Sequence, residues 1–79
     1  MKVLLIEDNP DHAFFERQAL ERELDASVTA ELRPDEGLRR LREDDFDVVV
    51  LDYHLPGEDG LDVLRQIKAA RSDLPVIVI

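Results

Sequence analysis

The sequence predicts an α/β protein built on an open parallel sheet, and three observations predict it. Apolar runs of strand length alternate along the chain with segments of helical periodicity. The most apolar runs show no polar alternation, as expected of strands covered on both faces. The resulting order, β-α-β-α-β-α-β, places a crossover helix between each pair of successive strands, which is how parallel strands are joined.

The elements follow in order. Val3-Leu4-Leu5-Ile6 is a continuous apolar run and the first strand. Asn9-Pro10 starts a helix, because Asn9 can cap free backbone N–H groups and Pro10 suits the first turn. Ala13, Leu20 and Leu24 share one helical face with Phe14 at its margin, while Phe15 and Ala19 project from another side. In Ser27 to Leu32, Val28, Ala30 and Leu32 alternate with Thr29 and Glu31, so this strand is half exposed and an edge. Pro34-Asp35-Glu36 opens a second helix, with Leu38 and Leu41 inward, Arg39, Arg40 and Arg42 outward or toward its end, and Gly37 weakening it. Val48-Val49-Val50-Leu51 is β-branched and reads as a central strand. Residues 52 to 60 form a loop around Pro56-Gly57. Val63, Leu64, Ile67 and Ala70 line a third helix, which Ser72 to Pro75 ends, and Val76 to Ile79 forms a fourth strand.

Composition excludes several functions. The 79 residues contain no linker, repeat or low-complexity segment and read as one domain. With no cysteine there is neither a disulfide nor a thiolate metal site, and two histidines, His12 and His54, do not make a histidine zinc site. A net charge of -9, from 19 acidic and 10 basic residues, opposes direct nucleic-acid binding. No apolar run has membrane-spanning length, and the opening Met1 to Ile6 is too short for a signal peptide, so the expected location is the cytoplasm, with no membrane partner.

Chemistry belongs beyond the carboxyl ends of the strands. The first strand delivers Glu7 and Asp8 there, and the third delivers Asp52. If those strands are neighbours, three carboxylates converge, and their repulsion calls for a hard cation such as Mg2+. One aspartate could then attack phosphorus and form an acyl phosphate. Asp52, fixed by a rigid buried strand, suits that role; Asp8 would hold the ion directly, Glu7 directly or through water, and the His54 backbone carbonyl is a further ligand candidate.

Three motifs in register carry a resemblance: Leu4 to Asp11 around the acidic pair, Asp47 to Tyr53 around Asp52, and Leu55-Pro56-Gly57-Glu58-Asp59-Gly60. The whole chain resembles a response-regulator receiver domain of two-component signalling. The resemblance implies a flavodoxin-like, doubly wound sheet of order 2-1-3-4-5. It implies that Asp52 is the phosphoacceptor and that Glu7 and Asp8 serve Mg2+. Leu55-Pro56 would shape the loop beside the site and Gly60 its exit. A sensor histidine kinase or phosphotransfer protein would donate the phosphoryl group, and a downstream protein or domain would read it. Any catalysis would be self-phosphorylation rather than enzyme turnover. Such domains continue with a hydroxyl residue after strand 4, a fourth helix, a fifth strand ending in lysine and a fifth helix. Strands 1–4 and helices 1–3 are expected here, the N-terminal two-thirds of a receiver. Val76 to Ile79 is then an exposed edge, and weak stability or self-association through it is expected.

Each site residue has a plainer reading. Glu7-Asp8 alone could be helix-start acids, Asp52 alone a solvated loop acid, and His12 and His54 are expected to be surface residues. The arginines of helix 2 are expected to be a solvated face. A non-phosphorylated pseudo-receiver scaffold is the alternative function. A phosphohydrolase would commonly carry a second aspartate where His54 stands. The acidic turn after strand 1 has no dinucleotide or phosphate-loop glycines.

Overall fold

A computed structural model describes residues 1–53 and 59–79. Seven elements follow in the expected order: β1 Lys2–Ile6, α1 Pro10–Leu24, β2 Ser27–Glu31, α2 Pro34–Glu43, β3 Val48–Leu51, α3 Gly60–Ala70 and β4 Val76–Val78. All pairings are parallel and the sheet order is β2-β1-β3-β4. The apolar runs of β1 and β3 thus lie in the interior of the sheet, and the alternating β2 lies at an edge.

Alternation along β1 and β3 divides the core in two. Leu4 and Ile6 of β1, with Val49 and Leu51 of β3, face α2 and α3, where they pack with Leu41, Phe46, Val63, Ile67 and Leu74. Val3, Leu5, Val28 and Val50 form the second cluster, with Leu20 of α1 packed against it. Each large side chain removed from water in this way contributes roughly 1.5–3 kcal/mol.

Local chemistry starts α1 as the sequence predicts, and a side-chain cap that the sequence reading did not single out starts α3. Asn9 Oδ1 accepts from the backbone N–H groups of Asp11 and His12, and Asp59 Oδ1 from that of Leu61. The α1 exit runs through Asp25 at φ 50°, a left-handed conformation that aspartate tolerates better than most residues.

Four details depart from the sequence-based expectation. Leu24, assigned to the inner face of α1, is exposed where the chain reverses through Asp25. Leu32 lies outside β2 and is exposed. Phe46 and Leu74, which sit in connecting segments, are core residues. Gly37 does more than weaken α2: a Cβ there would lie 2.5 Å from Cδ1 of buried Ile6, so a side chain at this position would force Ile6 or α2 to shift.

Candidate functional site

The site is built at the carboxyl ends of β1 and β3, which are hydrogen-bonded neighbours. The ladder continues one step past each strand. The Glu7 N–H donates to the Glu31 carbonyl at 3.1 Å, and the Asp52 N–H donates to the Ile6 carbonyl at 2.9 Å. The backbone on both sides of the site is therefore held by the sheet. On the far side, the Tyr53 N–H donates to the Ile79 carbonyl and the Ile79 N–H to the Leu51 carbonyl, each at 2.9 Å.

Glu7, Asp8 and Asp52 each offer a carboxylate oxygen, and these atoms lie within 4.8 Å of one another. Glu7 is buried, at 3 % exposure, whereas Asp8 and Asp52 are half-buried. Burial pushes the Glu7 carboxyl up to about 7. The Asn9 N–H, which donates to Glu7 Oε1 at 3.2 Å, pulls it down, while a hydrogen bond with Asp52 and the charges of Asp52 and Glu16 push it further up. Burial and the neighbouring carboxylates thus favour the protonated form of Glu7. An all-oxygen donor set with an open side fits Mg2+, which keeps several waters and takes one or two carboxylates.

The carboxylates open into a cavity of about 480 Å³ that Asn9, His12, Glu16 and Ile79 also line. Sequence reasoning placed His12 among the surface residues and did not single out Glu16. Both lie on α1, four residues apart, and so on one helical face. That spacing, counted from the acidic pair at the helix start, was the signal available. His12 is exposed, as expected, and faces this cavity. Gly60 packs against the backbone of Tyr53, where an added Cβ would lie 2.7 Å from the Tyr53 carbonyl oxygen; α3 thus starts directly beside the site. The His54 carbonyl and the turn at residues 55–58 lie outside the described residues.

A four-stranded parallel sheet with an acidic triad at the switch between β1 and β3 defines a doubly wound domain with an acidic cluster at one end. Residues 3–79 match the response regulator receiver domain family, and the chain belongs to it. The chain is 37% identical over 82 residues to the response regulator MprA of Mycobacterium ulcerans, covering 100% of this chain and 34% of that protein. It is 32% identical over 79 residues to the probable C4-dicarboxylate response regulator DctR of Bacillus subtilis, covering 99% and 35%. Among solved structures, a response regulator receiver domain protein from Clostridium thermocellum superposes with a TM-score of 0.90 at 32% identity, covering 98% of this chain and 62% of that one. TrrA of Thermotoga maritima, solved with Mg2+ and BeF, superposes with a TM-score of 0.88 at 25% identity, covering 98% and 66%. The chain spans 21% to 35% of the length of these and other curated relatives. Receiver domains of this family are signalling modules of two-component systems rather than metabolic enzymes. Among the described residues no helix is long and apolar enough to cross a membrane.

Proposed function

We propose that this chain is a phosphorylation-controlled signalling module in which Asp52 accepts a phosphoryl group from a histidine kinase or phosphotransfer protein, with Mg2+ held by Glu7, Asp8, Asp52 and the His54 backbone carbonyl. The observation that carries this reading is the convergence of three carboxylate oxygens within 4.8 Å at the ends of two paired interior strands. A solved complex of TrrA with the histidine kinase ThkA, in which TrrA is 25% identical to this chain, supports the choice of donor.

The roles follow from position. Asp52 stands at the end of a buried strand with its backbone N–H held by Ile6, so its carboxylate is aimed with little freedom left to lose. One of its oxygens attacks phosphorus, and the bond from phosphorus to the donor atom breaks with its electron pair leaving on the donor. Glu7 must give up its proton before it can serve a cation. When bound, Mg2+ supplies the counter-charge that lets an anionic phosphoryl group approach three carboxylates. The phosphorylated and unphosphorylated forms then differ in their contacts with a downstream protein or domain. The seven elements correspond to strands 1–4 and helices 1–3 of such a domain.

The test is the intact mass after incubation with Mg2+ and acetyl phosphate, beside Asp52→Asn. A phosphoryl adduct on the parent and none on the variant is expected. No adduct on the parent would favour a protein-binding scaffold instead, and an adduct on both would assign the acceptor elsewhere.

A further inference from the structure

Gly37 and Gly60 are both buried and both closely approached, but by different kinds of atom. At Gly37 a Cβ would meet the end of the Ile6 side chain, which can turn aside. At Gly60 it would lie 2.7 Å from the Tyr53 carbonyl oxygen and 3.2 Å from the Tyr53 Cα. Backbone atoms yield only by moving the peptide planes they belong to. A side chain at Gly60 therefore displaces either α3 or the backbone of Tyr53.

Tyr53 directly follows Asp52. The Asp52 N–H donates to the Ile6 carbonyl and the Tyr53 N–H to the Ile79 carbonyl, each at 2.9 Å. These two bonds hold the peptides on either side of the Asp52 Cα. The Tyr53 Cα and carbonyl come next, and they are the atoms on which Gly60 closes. The start of α3 is itself well seated: Asp59 Oδ1 accepts from the Leu61 N–H at 3.0 Å, and Val63, one turn on, is fully buried. A side chain that pushed Tyr53 away would strain its bond to Ile79 or turn the Asp52 carboxylate away from Glu7 and Asp8.

We propose that Gly60 is a positioning residue for Asp52: with no side chain at its first residue, α3 closes on the Tyr53 backbone and holds the Asp52 carboxylate beside Glu7 and Asp8. The inference rests on the phosphoacceptor reading above and adds to it a residue that offers no side chain to cation or phosphoryl group. With acetyl phosphate as donor, an Asp52 carboxylate oxygen forms the new bond to phosphorus and acetate leaves with the old bond's electron pair. The aim of that oxygen governs the attack, and the placing of the carboxylate governs cation binding, so both fall when the backbone shifts.

The experiment compares the parent chain with Gly60→Ala and with Ile67→Val, which loosens the core packing of the same helix away from the site. Mg2+ affinity is measured by calorimetry and uptake from acetyl phosphate by intact mass. Both are referred to the folded fraction from circular dichroism, in a sucrose buffer that favours the folded state. For Gly60→Ala, Mg2+ affinity is expected to fall about three- to ten-fold and the uptake rate at saturating Mg2+ roughly ten-fold. Ile67→Val should stay within about twofold of the parent in both. Tyr53→Ala/Gly60→Ala removes the ring contact, 3.0 Å from the added Cβ, and keeps the carbonyl contact. It should lose as much against Tyr53→Ala as Gly60→Ala loses against the parent, and it carries the test if Gly60→Ala does not fold. Recovery in that double variant would put the effect on the ring and overturn the inference. Parent-like binding and uptake in folded Gly60→Ala, or equal losses in Ile67→Val, would also overturn it and leave the phosphoacceptor reading intact. A parent chain that takes no phosphoryl group overturns both.

Discussion

On the α2–α3 side of the sheet, Leu4, Ile6, Val49 and Leu51 disappear beneath two helices, and Phe46 and Leu74 close the ends. On the α1 side, Val3, Leu5 and Val50 meet one helix, and that cover stops short of β4. Ile77 and Ile79 remain 53% and 52% exposed there, with Phe15 at 66% on the helix above. Ala19, Leu20, Val50, Ile77 and Ile79 line an apolar cavity of about 260 Å³ on this side. The two sides use the same kind of strand sequence, so hydrophobicity did not decide which is closed. What differs among the described residues is the number of helices on each side, α2 and α3 on one and α1 on the other.

The contrast can be broken most severely from the closed side. Leu51→Ala or Ile67→Ala, at fully buried positions, should cost about 2–5 kcal/mol, enough to unfold a chain this small. Ile77→Ala should cost under about 1 kcal/mol, because half of that side chain is already in water. Urea unfolding of the three variants measures the ratio; equal losses would mean that the two sides are not unlike.

The next effect concerns how closely α2 sits on β1. Gly37→Ala ordinarily favours a helix by about 1 kcal/mol. Here the added Cβ meets Cδ1 of Ile6 at 2.5 Å inside the closed core, so a net loss of about 1–3 kcal/mol is expected. Ile6→Val removes that Cδ1, and the double variant should recover part of the loss in a double-mutant cycle. Additive effects would show that the contact is not the cause.

A smaller effect arises where the sides meet, at Glu7. Its folded value of about 7 stands above the ordinary 4.5, so between these values the folded chain holds a proton that the unfolded chain has released. Metal-free stability from this group is therefore full below about 4.5, falls as pH rises toward 7 and levels off above it. Glu7→Gln should flatten that fall. Melting temperatures recorded without Mg2+ from pH 4.5 to 8 test the sign, and a rise across this window in the parent but not in the variant would reverse it.

The smallest change in stability, within about 0.5 kcal/mol, is expected for Ile77→Lys on the open side. Its larger consequence is for association. β4 pairs with β3 on one side, and a lysine on its apolar surface should oppose pairing with a second chain. Sedimentation at increasing concentration should show self-association of the parent reduced in the variant; a monomeric parent at every concentration would remove the expectation.

What could be read from the residues alone were properties set by neighbours in sequence. Val3 to Ile6 and Val48 to Leu51 show as buried strands because unbroken apolar runs leave no polar face. Asn9 and Pro10 mark a helix start because capping is satisfied within three residues. The three motifs in register made the family and the acidic residues legible. Tertiary structure decided the rest. Phe46 and Leu74 sit among polar and breaker residues, and only the arrival of α2 and α3 buries them. Gly37 looks like a weakness until Ile6 lies beneath it. Asp52 lies more than forty positions from Glu7 and Asp8 in sequence, and the three become one site because β1 pairs with β3. The same pairing buries Glu7 and puts His12 over the cavity. Periodicity reports which side of an element is apolar; which element covers it, and which charges then share a space, depends on long-range pairing that no local pattern encodes.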